Sequence, residues 1–199
     1  MPTHIGSNEY LTLEKKKLST SRNWAVWVPD ILDRYEPDSI RYFLTINAPE
    51  SRDADFSWKE FIYSHNSELI RGIWKLSKSD FDIKTACFKQ GLEKVFELVR
   101  FSNKYSDEQQ PWKQIYEDKD SCQQTLADCV YLVANLAHIF TPFLPFSSTK
   151  VKEMLNTTET GWNSFLVESQ QLSNVEPLFE RIDLARIEEE LERLNKQSV

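Results

Sequence analysis

Three consecutive lysines, Lys15, Lys16 and Lys17, run into Leu18-Ser19-Thr20-Ser21. Flexible ammonium groups suit a moving, highly charged partner, and hydroxyls add hydrogen bonds without charge. Far along the chain, Trp112 follows Pro111 in a polar stretch where packing alone does not require an indole. Such a ring serves either as an exposed platform or as an anchor for its loop. Other reactive types are bland. His4, His65 and His138 and Cys87, Cys122 and Cys129 are scattered without metal-ligand spacing, so no metal site is expected. His65 reads as a surface residue and His138 as a core-edge one. Cys122 and Cys129 lie seven apart on one helix face and read as small core residues in a reducing compartment. Asp53 and Asp55 sit in a charged loop without an acid–base partner and read as solvated.

The composition limits what these residues can serve. The chain has 199 residues and a net charge of -7, with 40% hydrophobic and 13% aromatic residues and four glycines. It can bury a real core, and its composition favours helices over tight-turned sheets. An acidic chain makes a poor general nucleic-acid glue, because phosphate binding rests on Lys and Arg. Any nucleic-acid contact is therefore expected to be local and guided by shape. No signal peptide or membrane-length apolar run is visible, which makes a cytoplasmic protein the expectation.

Periodicity supplies the elements. Residues 1 to 28 show no helical period, and Trp24 with Val26, Trp27 and Val28 forms an extended patch. Asp30 to Tyr35 reads as one helical turn. Pro37 and Asp38 open a second helix, with Ile40, Phe43 and Leu44 on one face and Pro49 closing it. Glu50 to Phe56 reads as a loop. Ser57 and Glu60 have capping-box spacing before a third helix that carries Phe61, Leu69, Ile73 and Leu76. A long helix is predicted from Asp82 through Tyr105, with Phe88, Leu92, Val95, Phe96 and Val99 in register. A loop over Ser106 to Trp112 follows. The strongest amphipathic pattern runs from Asp118 to Phe140 and is broken by Pro142 and Pro145. A shorter helix covers Thr149 to Leu155. After a polar stretch, Leu184 to Asn195 forms a last helix, whose Glu188 to Glu192 run reads as a solvated face.

The order of several motifs resembles the C-terminal half of methionyl-tRNA synthetase. They begin with L-T-L-E-K-K-K-L-S-T-S-R from Leu11 to Arg22 and V-P-D-I-L-D-R-Y-E-P-D-S-I-R-Y-F-L from Val28 to Leu44. N-A-P-E-S-R-D-A-D-F-S-W-K-E-F follows from Asn47, then N-S-E-L from Asn66. F-S-N-K-Y-S-D-E-Q-Q-P-W ends at Trp112, F-T-P-F-L-P spans Phe140 to Pro145, and L-F-E-R-I-D spans Leu178 to Asp183. His4-Ile5-Gly6-Ser7 is not read as a remnant of that family's H-I-G-H motif, because the family separates the two motifs by most of its catalytic domain.

The resemblance implies a mostly α fold. Residues 1–56 would carry a K-M-S-K-S-like loop and a small irregular stem-contact segment. Residues 57–199 would form an anticodon-binding-like helical bundle with a C-terminal helix. Lys17, Leu18, Ser19, Thr20 and Ser21 match the loop that closes over ATP, and Thr20 stands where the family has its second lysine. The nucleotide-binding domain would lie upstream, so no cofactor is expected in this chain; ATP belongs to that other domain, and the chain alone is expected to be inactive. Asp30, Arg34, Asp38 and Arg41 are candidates for a stem-contact polar network, with ordinary caps and ion pairs as the other reading. Trp112 matches the tryptophan that stacks on an anticodon base, a contact of about 1–3 kcal/mol. Lys75 and Ser79 fall where the family carries an Asn and an Arg that read base edges, and the segment between Leu76 and Ile83 looks shortened. The expected partner is tRNA of the methionine type, with a separate catalytic subunit as a second partner and no membrane. Three readings stay open: a free-standing tRNA-binding module, the C-terminal part of a split or truncated ligase, and an interaction module that has lost RNA binding.

Overall fold

A computed structural model describes residues 8–69, 88–157 and 172–198. A three-stranded sheet comes first. Strands β1 (Leu11–Leu13) and β2 (Lys16–Lys17) pair antiparallel, and β3 (Ala54–Phe56) lies parallel to β1 on its other side. Glu14 and Lys15 turn the hairpin with φ of 48° and 61°. Two left-handed residues in succession match the twist of a two-residue hairpin. This sheet corrects the reading of residues 1–28 and 50–56 as irregular. A three-residue strand carries little periodicity, and β3 finds its partner some forty residues away in sequence, so local pattern does not reveal it.

Asp53 and Asp55 are consequently structural rather than solvated. Asp53 accepts from the Tyr10 backbone N–H (3.0 Å). Asp55 Oδ1 accepts from Thr12 Oγ1 (2.5 Å) and from the Lys15 N–H (2.7 Å). Both carboxylates therefore hold the hairpin.

Helices α1 (Val28–Leu32) and α2 (Pro37–Ile46) connect the sheet to the rest of the fold. α2 faces two cores. Its Phe43 joins Leu13, Phe56, Trp58, Phe61 and Ile62 in the first. Its Tyr42 joins Leu92, Phe96, Val99 and Leu136 in the second. Helix α3 (Trp58–Ser64) supplies much of the first core and runs on into a π-helical turn, His65–Leu69. Ser57 is the N-cap of α3, but its side chain caps nothing. Glu14 Oε1 accepts from the Trp58 N–H instead, at 2.8 Å. The capping box signalled by Ser57 and Glu60 is thus replaced by a carboxylate from the hairpin turn.

The second core belongs to α4 (Phe88–Gln109), α6 (Lys119–Phe140) and the Phe143–Leu144 turn, with α7 (Pro145–Met154) and the short α5 (Pro111–Glu117) packed on α6. α4 extends past the expected end at Tyr105 to Gln109. Asp118 caps α6, accepting from the N–H groups of Asp120 and Ser121. The Ser121 hydroxyl, donating to the same carboxylate at 2.7 Å, holds it below the usual range, and these backbone hydrogen bonds add to the effect. Tyr105 reaches from α4 to Asp128 of α6 at 2.6 Å. That hydrogen bond, aided by burial, pushes the phenol up to about 12, so it stays a donor. No helix among the described residues is long and apolar enough to cross a membrane.

The last helix, α8 (Arg186–Gln197), returns to the first core through Leu194. Glu190, expected on a solvated face, is only 1% exposed. It is buried because α8 packs on α3, with Arg34 and Tyr35, just beyond the end of α1, as partners of its carboxylate. His65 is likewise buried, at 3% exposure, rather than on the surface. The π-turn rotates it inward onto the segment that leads to α8, where its ring meets Phe179 edge to face.

Candidate nucleic-acid interface

The lysine segment emerges from the sheet. Strand alternation sends Lys16 and Lys17 to opposite faces. The Lys16 Nζ sits 4.2 Å from the Trp24 ring centroid, a cation–π contact that commits this charge locally. Lys15, Lys17, Leu18, Thr20 and Ser21 are exposed. Ser19 and Trp24 pair through two backbone hydrogen bonds of 3.0 and 2.9 Å, closing a small loop around Thr20 to Asn23. The Ser19 and Ser21 hydroxyls lie 3.2 Å apart and bond to each other. What this loop offers outward is the Lys15 and Lys17 ammonium groups and the Thr20 hydroxyl. At Thr20, where a second lysine would add charge, there is none to add.

Trp112 does not sit in a loop, as expected, but at the second residue of α5. Gln110 turns the chain at φ 51°, and Pro111, lacking an N–H, fits the first helical position. α5 buries no residue fully. Trp112 is 54% exposed, Ile115 49% and Tyr116 89%. Positions i, i+3 and i+4 share one helix face, so the three side chains form a single exposed apolar and aromatic surface. Lys113 and Lys119 are exposed next to it in sequence. Tyr116 and Ile115 escape the sequence reading because its loop ends at Trp112 and its next helix begins at Asp118, which leaves Lys113 to Glu117 in neither. The signal was present: Pro111 at a helix start followed by apolar side chains at helical spacing.

The four polar-network candidates are all engaged, and their work is internal. Arg34 grips Glu190 with Nε at 2.7 Å and Nη2 at 3.0 Å. Its Nη1 donates to the Asp30 carbonyl at 2.5 Å, so Asp30 contributes backbone rather than carboxylate. Tyr35 donates to the same Glu190 at 3.1 Å. Burial, with Glu190 beside it, raises that phenol well above the ordinary tyrosine range. Asp38 accepts from the Ser147 N–H at 2.6 Å and so caps α7 from a distance. Arg41 donates to the carbonyls of Phe143 (2.8 Å) and Pro142 (2.8 Å) at the end of α6. The Arg34, Asp38 and Arg41 side chains thus fasten α2 and the residues before it to α8, to the N-terminus of α7 and to the turn after α6.

A second clasp holds the extended segment 172–185 against the π-turn. Asn66 donates Nδ2 to the Ile182 carbonyl (2.8 Å) and accepts from the Ile182 N–H (2.9 Å). The Nε2–H of His65 donates to the Glu180 carbonyl at 2.8 Å, leaving Nδ1 buried and unpaired. Burial lowers the pKa of this imidazole, so neutrality is part of the clasp.

Lys75, Ser79, Cys87 and the His4–Ser7 stretch lie outside the described residues. His138 is 9% exposed, in agreement with a core-edge histidine. Cys122 is buried and Cys129 half-buried, both free thiols, and burial raises the pKa of Cys129. Among the described residues no three His, Cys, Asp or Glu side chains gather as a metal site would require.

Comparison with known proteins fits this arrangement. Residues 67–195 match a family described as the anticodon binding domain of methionyl tRNA ligase. Residues 1–78 match the class I (M) tRNA synthetases. A methionine–tRNA ligase of Bacillus mycoides is 50% identical over 227 positions, covering 98% of this chain and 42% of the relative. Methionine–tRNA ligase 2 of Bacillus cereus is 49% identical with the same coverage. The chain thus spans less than half the length of the curated relatives it matches. The 227 matched positions exceed the 199 residues of the chain, so these relatives carry extra residues within the matched span. The apo methionyl-tRNA synthetase of Mycobacterium tuberculosis shares the fold, with a TM-score of 0.72 at 18% identity over 92% of this chain and 44% of that one. With its mostly helical body, its short hairpin and this agreement along nearly its whole length, the chain belongs to the methionyl-tRNA ligase family and carries that family's anticodon-binding domain.

Proposed function

We propose that this chain binds tRNA of the methionine type, with α5 presenting Trp112 to an unpaired anticodon base. The observation that carries this reading is the exposed aromatic face of α5. A buried Trp112 would have favoured a module without RNA binding, whereas a half-exposed indole with Tyr116 one turn on offers a stacking surface. Stacking reads no base edge, so it tolerates any base. Lys75 and Ser79 stand where an amide and a guanidinium would supply paired donors and acceptors. Lys75 suits a phosphate, so this chain is expected to discriminate weakly between anticodons. No ATP site is assigned to the chain, because a loop with Thr20 in place of a lysine lacks half the charge such a site uses.

The test is a gel-shift titration of this protein with initiator and elongator methionine tRNAs across salt. Saturable binding at low salt that weakens as salt rises supports the reading. No binding at low salt overturns it.

A second reading is favoured by the exposed Tyr10, Leu18 and Val28, which are 71%, 41% and 65% accessible around the hairpin and α1. The chain then forms the C-terminal part of a ligase whose nucleotide-binding part covers this face. Aminoacylation on mixing with a separately expressed nucleotide-binding part of a relative would support it. Absence of activity and of complex formation would exclude it.

A further inference from the structure

The loop from Thr20 to Asn23 owes its shape to one residue. The Asn23 N–H donates back to the Thr20 carbonyl at 3.1 Å, so these four residues make a turn between the paired Ser19 and Trp24. Asn23 then takes φ 50°, in the left-handed region that asparagine tolerates better than most side chains. That backbone setting returns the chain to Trp24 and closes the loop.

What holds Asn23 comes from the far end of the sequence. Both ends of its side-chain amide are occupied. Oδ1 accepts from the Trp27 Nε1–H at 2.9 Å, and Nδ2 donates to the Gln197 carbonyl at 3.0 Å. Gln197 is the last residue of α8, where helix carbonyls find no partner within the helix. Asn23 thus answers one of the open carbonyls of α8. Gln197 answers in turn, its Nε2 donating to the Ala25 carbonyl at 2.7 Å.

The rest of α8 secures this contact. Glu190, Leu194 and Gln197 stand at i, i+4 and i+7 and share one helix face. Glu190 is gripped by Arg34, and Leu194 packs in the core that also holds Leu13 and Trp24. The Trp24 Nε1–H donates to the Leu13 carbonyl at 3.1 Å, which ties the base of the loop to β1. One face of α8 therefore carries an ion pair, an apolar anchor and, at its end, the hydrogen bonds to residues 23 and 25.

We propose that α8 sets the conformation in which the loop presents Lys17 and Thr20, with Asn23 and Gln197 as the positioning residues. Neither residue touches a partner of the loop; each acts through the shape of residues 19–24. The coupling is reciprocal, so whatever orders the loop orders the last turn of α8 by the same factor. This role of α8 is independent of stacking by α5.

Amide hydrogen exchange, followed residue by residue in nitrogen-15 correlation spectra of the whole chain, tests it. Gln197→Leu keeps the bulk and the backbone carbonyl but loses the donor to Ala25. Asn23→Gly keeps the left-handed backbone and loses the amide. In each variant the Ser19 and Trp24 N–H groups, which close the loop, are expected to exchange about tenfold faster, with a smaller change at Glu14 and Ala54 in the sheet. Asn23→Gly is expected to speed exchange in the last turn of α8 as well. In Gln197→Leu, distant from the loop in sequence, the Lys17 and Thr20 amide signals are expected to move, which a bond that only added stability would not cause. Parental exchange at Ser19 and Trp24 in either variant, acceleration by the same factor at Glu14 and Ala54, an unchanged last turn of α8 in Asn23→Gly, or unmoved Lys17 and Thr20 signals in Gln197→Leu would each overturn this role of α8.

Discussion

Replacing Arg34 by Met is expected to destabilise the fold strongly, because Glu190 is a deeply buried charge that, among the described residues, one guanidinium answers. The guanidinium meets both carboxylate oxygens, at 2.7 and 3.0 Å, and Tyr35 adds one hydrogen bond. The Glu190 side chain is 1% exposed and that of Arg34 19%. Removing one partner of a buried pair costs about 3–5 kcal/mol, chiefly by stranding the other charge. Water can reach the partly exposed Arg34 side of the pair, so the lower end applies, about 3 kcal/mol. With a urea dependence of about 2 kcal/mol per molar, the unfolding midpoint falls by about 1.5 M. Arg34→Met with Glu190→Gln leaves no stranded charge, so the double variant is expected to lose less than the sum of the singles, by about 2 kcal/mol. Urea unfolding followed by circular dichroism measures all four proteins. An Arg34→Met midpoint within about 0.3 M of the parent, or strict additivity in the cycle, would refute this account of how α8 is held.

Two further predictions concern the other fastenings. Asp38→Ala removes the carboxylate that caps α7 at Ser147 and leaves a buried N–H unpaired, which is expected to cost about 1–3 kcal/mol in the same urea assay. His65 is held neutral by burial, so its folded pKa lies below the unfolded 6.5. Its contribution is fully present above that unfolded value and is lost as pH falls from there through the lower folded value. His65→Gln should therefore flatten the decline in stability between pH 7.5 and 5.5 relative to the parent, and equal slopes for the two proteins would count against the buried neutral imidazole.

The helices were legible in the sequence where their signals are local. Pro37 with Asp38 opens α2, and Asp118 caps α6, because a cap or an amphipathic stripe is written within a few residues. What escaped was set by pairing across long separations. β3 is recognisable only through β1. Ser57 and Glu60 have the right spacing for a box, yet the Trp58 N–H is taken by Glu14 from a distant turn. Glu190 looks like one more carboxylate in an acidic run until α8 is laid against Arg34. His65 looks exposed until a π-turn rotates it inward. The candidate site followed the same division. Trp112 stands out from its neighbours in sequence, whereas Tyr116 and Ile115 join it only once Pro111 is seen to begin a helix.

The central claim is that α5 offers an exposed stacking face for an RNA base, and fluorescence anisotropy with a labelled anticodon stem-loop of methionine tRNA tests it most directly. Trp112→Ala removes one stacking contact of about 1–3 kcal/mol, so affinity is predicted to fall roughly 5- to 150-fold. The urea midpoint should stay close to that of the parent, since the ring is 54% exposed and α5 buries no residue. Equal affinity for the parent and Trp112→Ala, both folded, would contradict the account.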